Sequence, residues 1–256
     1  MASDCSPAKP AADHSAKPSF YSVLEKLPLD HLRSSERFFL WLEFVFSVMS
    51  GTPLDSSAAE KMGRGRSSYE AVQRGFLDCI ALLGAEMERR PYEDLLGGYH
   101  EMLNSRIDRT VNGQFYTPTN ICRMMARITV SEQFAENLKP GEVISLSEPS
   151  CGSGRNVLAV AEVLGRHRSK MRVTCTDIDI RACWMCYINL TMWGIPATVV
   201  HGDSLRLKEW GRWVNMFWQL GEAERKQQLK LKKIMDAIKN LQFAESDSPA
   251  FPRSRN

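Results

Sequence analysis

The sequence has no apolar run able to cross a bilayer. Its longest, Phe38 to Met49, is shorter than the roughly 20 residues a span requires and is interrupted by Glu43, so a buried helix is expected and no membrane partner. No signal peptide is expected either: residues 1–18, rich in Ala, Ser, Pro and Lys, lack an apolar centre and read as a disordered tail. Seven cysteines, scattered from Cys5 to Cys186, make an odd count. That count and scatter point to a reduced, cytoplasmic protein rather than a disulfide scaffold. The closest pair, Cys183 and Cys186, falls inside an expected helix with no second ligand pair near it in sequence, and reads as core with no metal expected. Charge is weak as well: the net value of +3 does not by itself argue for nucleic acid.

What is present suffices for a folded protein. At 256 residues, 43% of them apolar and 25% charged, the chain can bury a core and hold one or two domains. Its centre is Val143 to Leu158. An apolar run leads through Glu148 and Pro149 into Cys151-Gly152-Ser153-Gly154, and a helical apolar pattern resumes at Val157. This is strand, glycine turn, helix, a local shape that admits a small polar ligand to backbone N–H groups at a helix start. A dinucleotide fingerprint requires a third glycine where Val157 stands, so nicotinamide and flavin are disfavoured.

Upstream, the periodicity is helical. Helices are expected over Tyr21 to Leu27, Leu32 to Ser50, Tyr69 to Arg90 and Tyr92 to Asn104, the last with Gly97 and Gly98 inside it for close packing. Gly63 to Arg66 reads as a solvated turn. Gly113 to Pro118, an extended aromatic segment, precedes a helix from Ile121 to Val130. Downstream the pattern alternates: helix Asn156 to Gly165, strand Met171 to Thr176, helix Ile180 to Trp193, strand Ala197 to Val200. Asp177 and Asp203 each follow a strand; taken singly, each reads as a helix or turn cap, but polar groups at three strand ends in succession point to a ligand, because ligands of open α/β sheets bind there. The fold class expected is α/β, a partial Rossmann-like sheet of three to four parallel strands. The expected organisation is a helical domain at 19–112, the sheet domain at 113–220, and a C-terminal helix and tail at 221–256. That last stretch carries eight Lys or Arg against five Asp or Glu, net +3, and a short seam of Leu231, Ile234, Ile238 and Leu241.

Several of these segments together, DLLGGYHEML at Asp94 to Leu103, GQFYTP at Gly113 to Pro118, EPSCGSG at Glu148 to Gly154, TDID at Thr176 to Asp179, INL at Ile188 to Leu190 and HGDSL at His201 to Leu205, carry a resemblance. The chain resembles the methylation subunit of type I restriction-modification systems and related adenine-N6 DNA methyltransferases. The resemblance implies a class I methyltransferase fold and S-adenosylmethionine as cofactor. It places Tyr116, Thr117 and Pro118 near the methionine end, Glu148, Pro149, Gly152 and Gly154 around the amino acid moiety, Asp177 on the ribose and Asp203 near the adenine. DNA is the implied partner, contacted directly or through another subunit, with a homodimer or a methyltransferase or restriction subunit as further partners.

One motif of that family is missing. Its members carry Asn or Asp, Pro, Pro and an aromatic after a fourth strand, to align the acceptor amine with the methyl group; no Pro-Pro follows Asp203 here. Asn215-Met216-Phe217-Trp218 is the one candidate substitute, with Asn215 as candidate catalytic residue, but it lacks the prolines and a clear apolar strand before it. Trp210, Trp213, Phe217 and Trp218 therefore read as packing residues. Without later strands, Val143 to Leu146 would be an uncovered edge, and the expectation is that Trp210 to Leu220 or a second subunit covers it. The functional expectation is a cofactor-binding, methyltransferase-like protein of a DNA-modification or anti-restriction system with impaired or no catalysis. The alternatives are an active adenine-N6 methyltransferase with an atypical or partner-supplied acceptor loop, and a non-catalytic interaction module or decoy of a restriction complex.

Overall fold

A computed structural model describes residues 19–64, 68–103, 116–139 and 141–246. The N-terminal tail, Gly65 and Arg66, Gly113 to Phe115 and residues 247–256 lie outside the described residues, as do the side chains of Ile234, Ile238 and Leu241. Among the described residues, no helix is long and apolar enough to cross a membrane.

Among the described residues, five helices come first: α1 (Ser19–Leu24), α2 (Ser34–Ser50), α3 (Ser56–Met62), α4 (Tyr69–Arg89) and α5 (Leu95–Leu103). The middle of α2 is apolar on nearly every side, and Phe38, Leu40, Trp41, Leu42, Phe44, Val45 and Phe46 are all buried. A helix of that kind must be enclosed by others. It stops at Gly51, which takes the left-handed conformation and returns its N–H to Ser47. Among the described residues two more helices precede the sheet, α6 (Thr119–Thr129) and α7 (Glu132–Glu136).

Strands β1 (Ile144–Glu148), β2 (Met171–Asp177) and β3 (Ala197–Asp203) are parallel neighbours, alternating with helices α8 (Arg155–Leu164) and α9 (Ile180–Met192). Each crossover steps the same way across the sheet, and a right-handed rule then puts both helices on one face. That face is apolar: Ile144, Met171, Val173, Cys175, Ala197 and Val199 are buried. The residues alternating with them include hydroxyls. Ser145 and Ser147 are exposed, and Thr174 and Thr176 are half-buried. α2 packs behind α9, with the Phe46 and Tyr187 rings 5.2 Å apart, so helical region and sheet share one buried core.

The fourth strand departs from expectation. Lys208–Val214 forms β4, antiparallel to β3, so the sheet order is β1-β2-β3-β4. The sheet thus holds three parallel strands and one antiparallel. The expectation that Trp210 to Leu220 covers the flank of β1 is overturned, because this segment starts on the opposite edge. Register explains it: Trp213 pairs with Val199, points to the covered face and meets Phe46 at 5.0 Å. Trp210 does not pack inside as expected; it stays 47% exposed, beside the His201 ring.

Helix α10 (Met216–Ser246) then crosses near the N-terminal ends of the strands. Arg172 of β2 places its guanidinium over Trp218 and donates to Glu222, while Arg225 donates to the carbonyl of Gly141. On its other side β1 has no strand partner among the described residues. Helix α6 packs on α8 but leaves Ile121, Met124, Met125 and Ile128 in solvent, an apolar stripe at helical spacing.

Candidate functional site: the glycine turn and strand tips

The turn between β1 and α8 closes on itself. Cys151 donates its backbone N–H to Thr176 and accepts from Gly154 at 2.8 Å, which folds residues 151–154 over the end of β2. Gly152 and Gly154 take φ of +52° and +88°. A Cβ on Gly154 would stand 3.1 Å from Cys186 Sγ, so both conformation and space call for glycine.

Asp177, at the tip of β2, is oriented by two main-chain donors. Gly152 N–H donates to Oδ2 at 2.8 Å and Asp179 N–H to Oδ1 at 2.9 Å. Each carboxylate oxygen keeps a second lone pair, so the group can still accept from a pair of vicinal hydroxyls. Glu148, at the tip of β1, accepts from Asn156 Nδ2 at 3.1 Å. Burial raises its pKa above the usual carboxylate range, with Asn156 acting against the shift. Asn156 Oδ1, beside it, is buried with no hydrogen-bond partner among the described residues. An ammonium group would satisfy both acceptors.

The aromatic segment arrives on the other side of the turn. The Tyr116 ring lies on Gly152, 3.1 Å from where a Cβ would be, and its hydroxyl meets His100 Nδ1 at 3.0 Å. Burial pushes the Tyr116 hydroxyl far up, and burial also lowers the His100 imidazole, so both stay neutral near pH 7. Thr117 accepts from Arg155 through its carbonyl, and Pro118 precedes α6. Six of the expected residues, Tyr116, Thr117, Glu148, Gly152, Gly154 and Asp177, thus meet in one contact network with Asn156, Arg155 and Thr176. Pro149 sits in the turn itself. Asp203 stands apart on the third tip: its Oδ1 accepts from the N–H groups of Leu205 and Arg206, a turn-capping arrangement, and its Oδ2 is 3.6 Å from Arg206.

Sequence reading missed the polar hub beneath the turn. Asp94, 5% exposed, accepts hydrogen bonds from Gly97 N–H, Ser153 Oγ, Arg155 Nε and Asn189 Nδ2. Asn189 also donates to the Ser153 carbonyl, and Arg155 reaches Glu101 at 2.9 Å. For Arg155, burial alone would depress the pKa of the guanidinium, but attraction to Asp94 and Glu101 more than offsets it and the pKa rises. One carboxylate therefore ties α5, the glycine turn and α9 together. The available signal was the occurrence of Asp94, Ser153 and Asn189 in three separate motif segments. Gly97 is explained by the same hub, since a Cβ there would collide with the Asp94 carboxylate and Ser153 Oγ; Gly98 has open space, and close packing does not account for it.

The structure takes Asn215 away from the site. It is fully buried just before α10, at the N-terminal end of β3, donates to the Ile195 carbonyl and Thr191 Oγ1, and accepts from the N–H groups of Ala197 and Trp218. Every polar atom of its amide is engaged in holding the β4 to α10 corner. The other change concerns cysteine. Cys186 has no second ligand pair near it in sequence, yet the fold brings Cys151 and Cys175 to it.

A parallel β1-β2-β3 layer with a glycine turn after the first strand, an oriented acid on the second tip and an aromatic segment against the turn is a Rossmann-like arrangement. Comparison with known proteins is specific. The profile of the N-6 DNA methylase family matches residues 91–242, more than half of the chain, and the chain belongs to that family. It is 27% identical over 124 residues to the type I restriction enzyme MpnII methylase subunit of Mycoplasma pneumoniae, a match covering 46% of this chain and 22% of the subunit. Two solved structures are similar. A modification subunit of a putative type I restriction enzyme from Vibrio vulnificus shares 21% identity over 59% of this chain and 28% of its own, at a TM-score of 0.32. The type I restriction-modification methyltransferase subunit from Streptococcus thermophilus shares 16% over 73% of this chain and 39% of its own, at 0.37. The chain thus spans well under half the length of each of these relatives.

Proposed function

We propose that this chain binds S-adenosylmethionine, or its demethylated product, at the glycine turn, and that it has little or no methyl transfer of its own. The observation that carries this reading is Asp177, whose two oxygens are fixed by the N–H groups of Gly152 and Asp179 with lone pairs left for a ribose diol. Glu148 and the orphaned Asn156 Oδ1 suit the ammonium of the methionine moiety, and Asp203 occupies the tip assigned to adenine. When bound, the cofactor supplies an electrophilic methyl group. What the described residues do not supply is the acceptor side: the strand after Asp203 turns to the outer edge of β3, and Asn215 is locked at the other end of the sheet. With no group to polarise and align an exocyclic amine, transfer has no catalyst. The setting is DNA modification or anti-restriction, with DNA reached directly or through a partner. Incubation with labelled cofactor and DNA tests the reading: retained label on the protein without labelled DNA supports it, and robust methylation by the chain alone refutes it.

A second reading is favoured by the bare edge of β1 and the exposed stripe on α6. A partner strand placed against β1 would extend the sheet and carry an acceptor loop to the turn, making an active adenine-N6 methyltransferase from two polypeptides. Its signature is methylation that appears only when a chain bearing the Asn-Pro-Pro-aromatic segment is added, and disappears with Asp177→Ala.

A further inference from the structure

The glycine turn, β2 and α9 each send one thiol to a common point. Cys151 Sγ, Cys175 Sγ and Cys186 Sγ all lie within 4.8 Å of one another. Cys175 and Cys186 are fully buried and Cys151 is 6% exposed. All three are free thiols. Two of them are far from the third in sequence, and each comes from a different element: Cys151 from the turn, Cys175 from β2, Cys186 from α9.

We propose that Cys151, Cys175 and Cys186 form a three-coordinate site for a trivalent thiophilic ion of the arsenite class. Three considerations select this chemistry. The first is spacing: a planar three-thiolate site with bonds of about 2.3 Å holds its sulfurs about 4.0 Å apart, and a pyramidal ion draws them to about 3.4 Å. From separations of at most 4.8 Å, each sulfur has to move by about 0.5 Å to reach the planar arrangement and about 0.8 Å to reach the pyramidal one. The second is coordination number. Among the described residues no fourth His, Cys, Asp or Glu joins the group, and the neighbouring Cys183 directs its thiol to the carbonyls of Asp177 and Val200 instead. A structural zinc ion, almost always tetrahedral, lacks its fourth ligand here. The third is charge. Three thiolates around a monovalent or divalent ion leave net negative charge in the interior, which is costly without a cation beside it; around a trivalent ion they leave none.

The reaction balances without an oxidant. Three S–H bonds and three bonds from the ion to hydroxide break, three bonds from the ion to sulfur form, and three waters leave. The oxidation state of every atom is unchanged. The site differs from the nucleoside pocket and does not depend on it, but it shares the turn: Cys151 N–H is bonded to Thr176, and Gly154 N–H to the Cys151 carbonyl. An ion held by all three sulfurs pins the turn to β2 and α9 at once.

The test uses the full chain, kept reduced with a phosphine, loaded with arsenite and desalted. The expected result is one arsenic retained per chain, three sulfurs around it by X-ray absorption, and a raised melting temperature. Cys175→Ala and Cys186→Ala should each lose the retained ion, while Cys183→Ala, an equally buried thiol outside the group, should keep it. Circular dichroism identifies any variant that fails to fold, and X-ray absorption of the wild type decides the ligand set independently of the variants. No retention by the wild type, retention that survives Cys175→Ala in a folded protein, fewer than three sulfur ligands, or tighter binding of Zn(II) than of arsenite overturns the proposal.

Discussion

Replacing Asp94 by alanine should cost the protein more than any other single change near the site. The carboxylate is 1% exposed and is the acceptor for four donors, one of them the guanidinium of Arg155, itself 11% exposed. Removing one partner of a buried ion pair typically costs about 3–5 kcal/mol, because the remaining charge is left without compensation. Here Arg155 keeps Glu101 and the Thr117 carbonyl, which moves the expectation to the lower end, about 3 kcal/mol. For a chain of this size that corresponds to a fall in melting temperature of about 6–12 °C. The effect should appear as a lower urea midpoint at unchanged slope. A double-mutant cycle separates the pair from the rest of the hub: Asp94→Ala with Arg155→Met should cost less than the sum of the two single changes, since no unpaired buried charge remains. An Asp94→Ala variant within about 1 kcal/mol of the wild type, or strict additivity in the cycle, would refute the hub as an energetic link between α5, the turn and α9.

Three further expectations follow from particular residues. Gly97→Ala and Gly98→Ala, adjacent on α5, should have opposite signs: the first forces a Cβ into the Asp94 carboxylate and destabilises strongly, whereas the second meets open space and gains about 1 kcal/mol of helix propensity, both read by thermal melting. Burial holds folded Glu148 above its ordinary 4.5, so the folded chain keeps a proton that the unfolded chain releases, and stability falls as pH rises from 4.5 through the raised folded value. Glu148→Gln should lack that fall, and parallel melting-temperature curves for the two proteins across this window would contradict it. Ile128, 78% exposed on α6, should tolerate aspartate with a change within about 0.5 kcal/mol, while the variant binds less of a hydrophobic dye; a large loss of stability would show that the stripe belongs to the chain's own core.

Local patterns were legible where periodicity and turn chemistry act over short distances. The apolar helix ending at Gly51, the three parallel strands and the αL glycines of the turn could all be read from the chain, because each is dictated by neighbours within a few residues. Long-range choices were not. Lys208–Val214 alternates too many polar residues to read as a buried strand, and only the anchoring of Trp213 on Phe46 explains why it adds to β3. The hub at Asp94 and the convergence of Cys151, Cys175 and Cys186 join residues far apart in sequence, and no spacing rule reaches them. Asn215 shows the converse: its residue type fits chemistry, yet its amide is spent on a corner of the fold.

The central claim is that the turn around Gly152 and the carboxylate of Asp177 form a nucleoside pocket for S-adenosylmethionine. Isothermal titration with this cofactor and with its demethylated product tests it most directly. The account predicts one site per chain, lost in Asp177→Ala while that variant remains folded; absence of heat with the wild type at millimolar cofactor, or unchanged binding in Asp177→Ala, would contradict it.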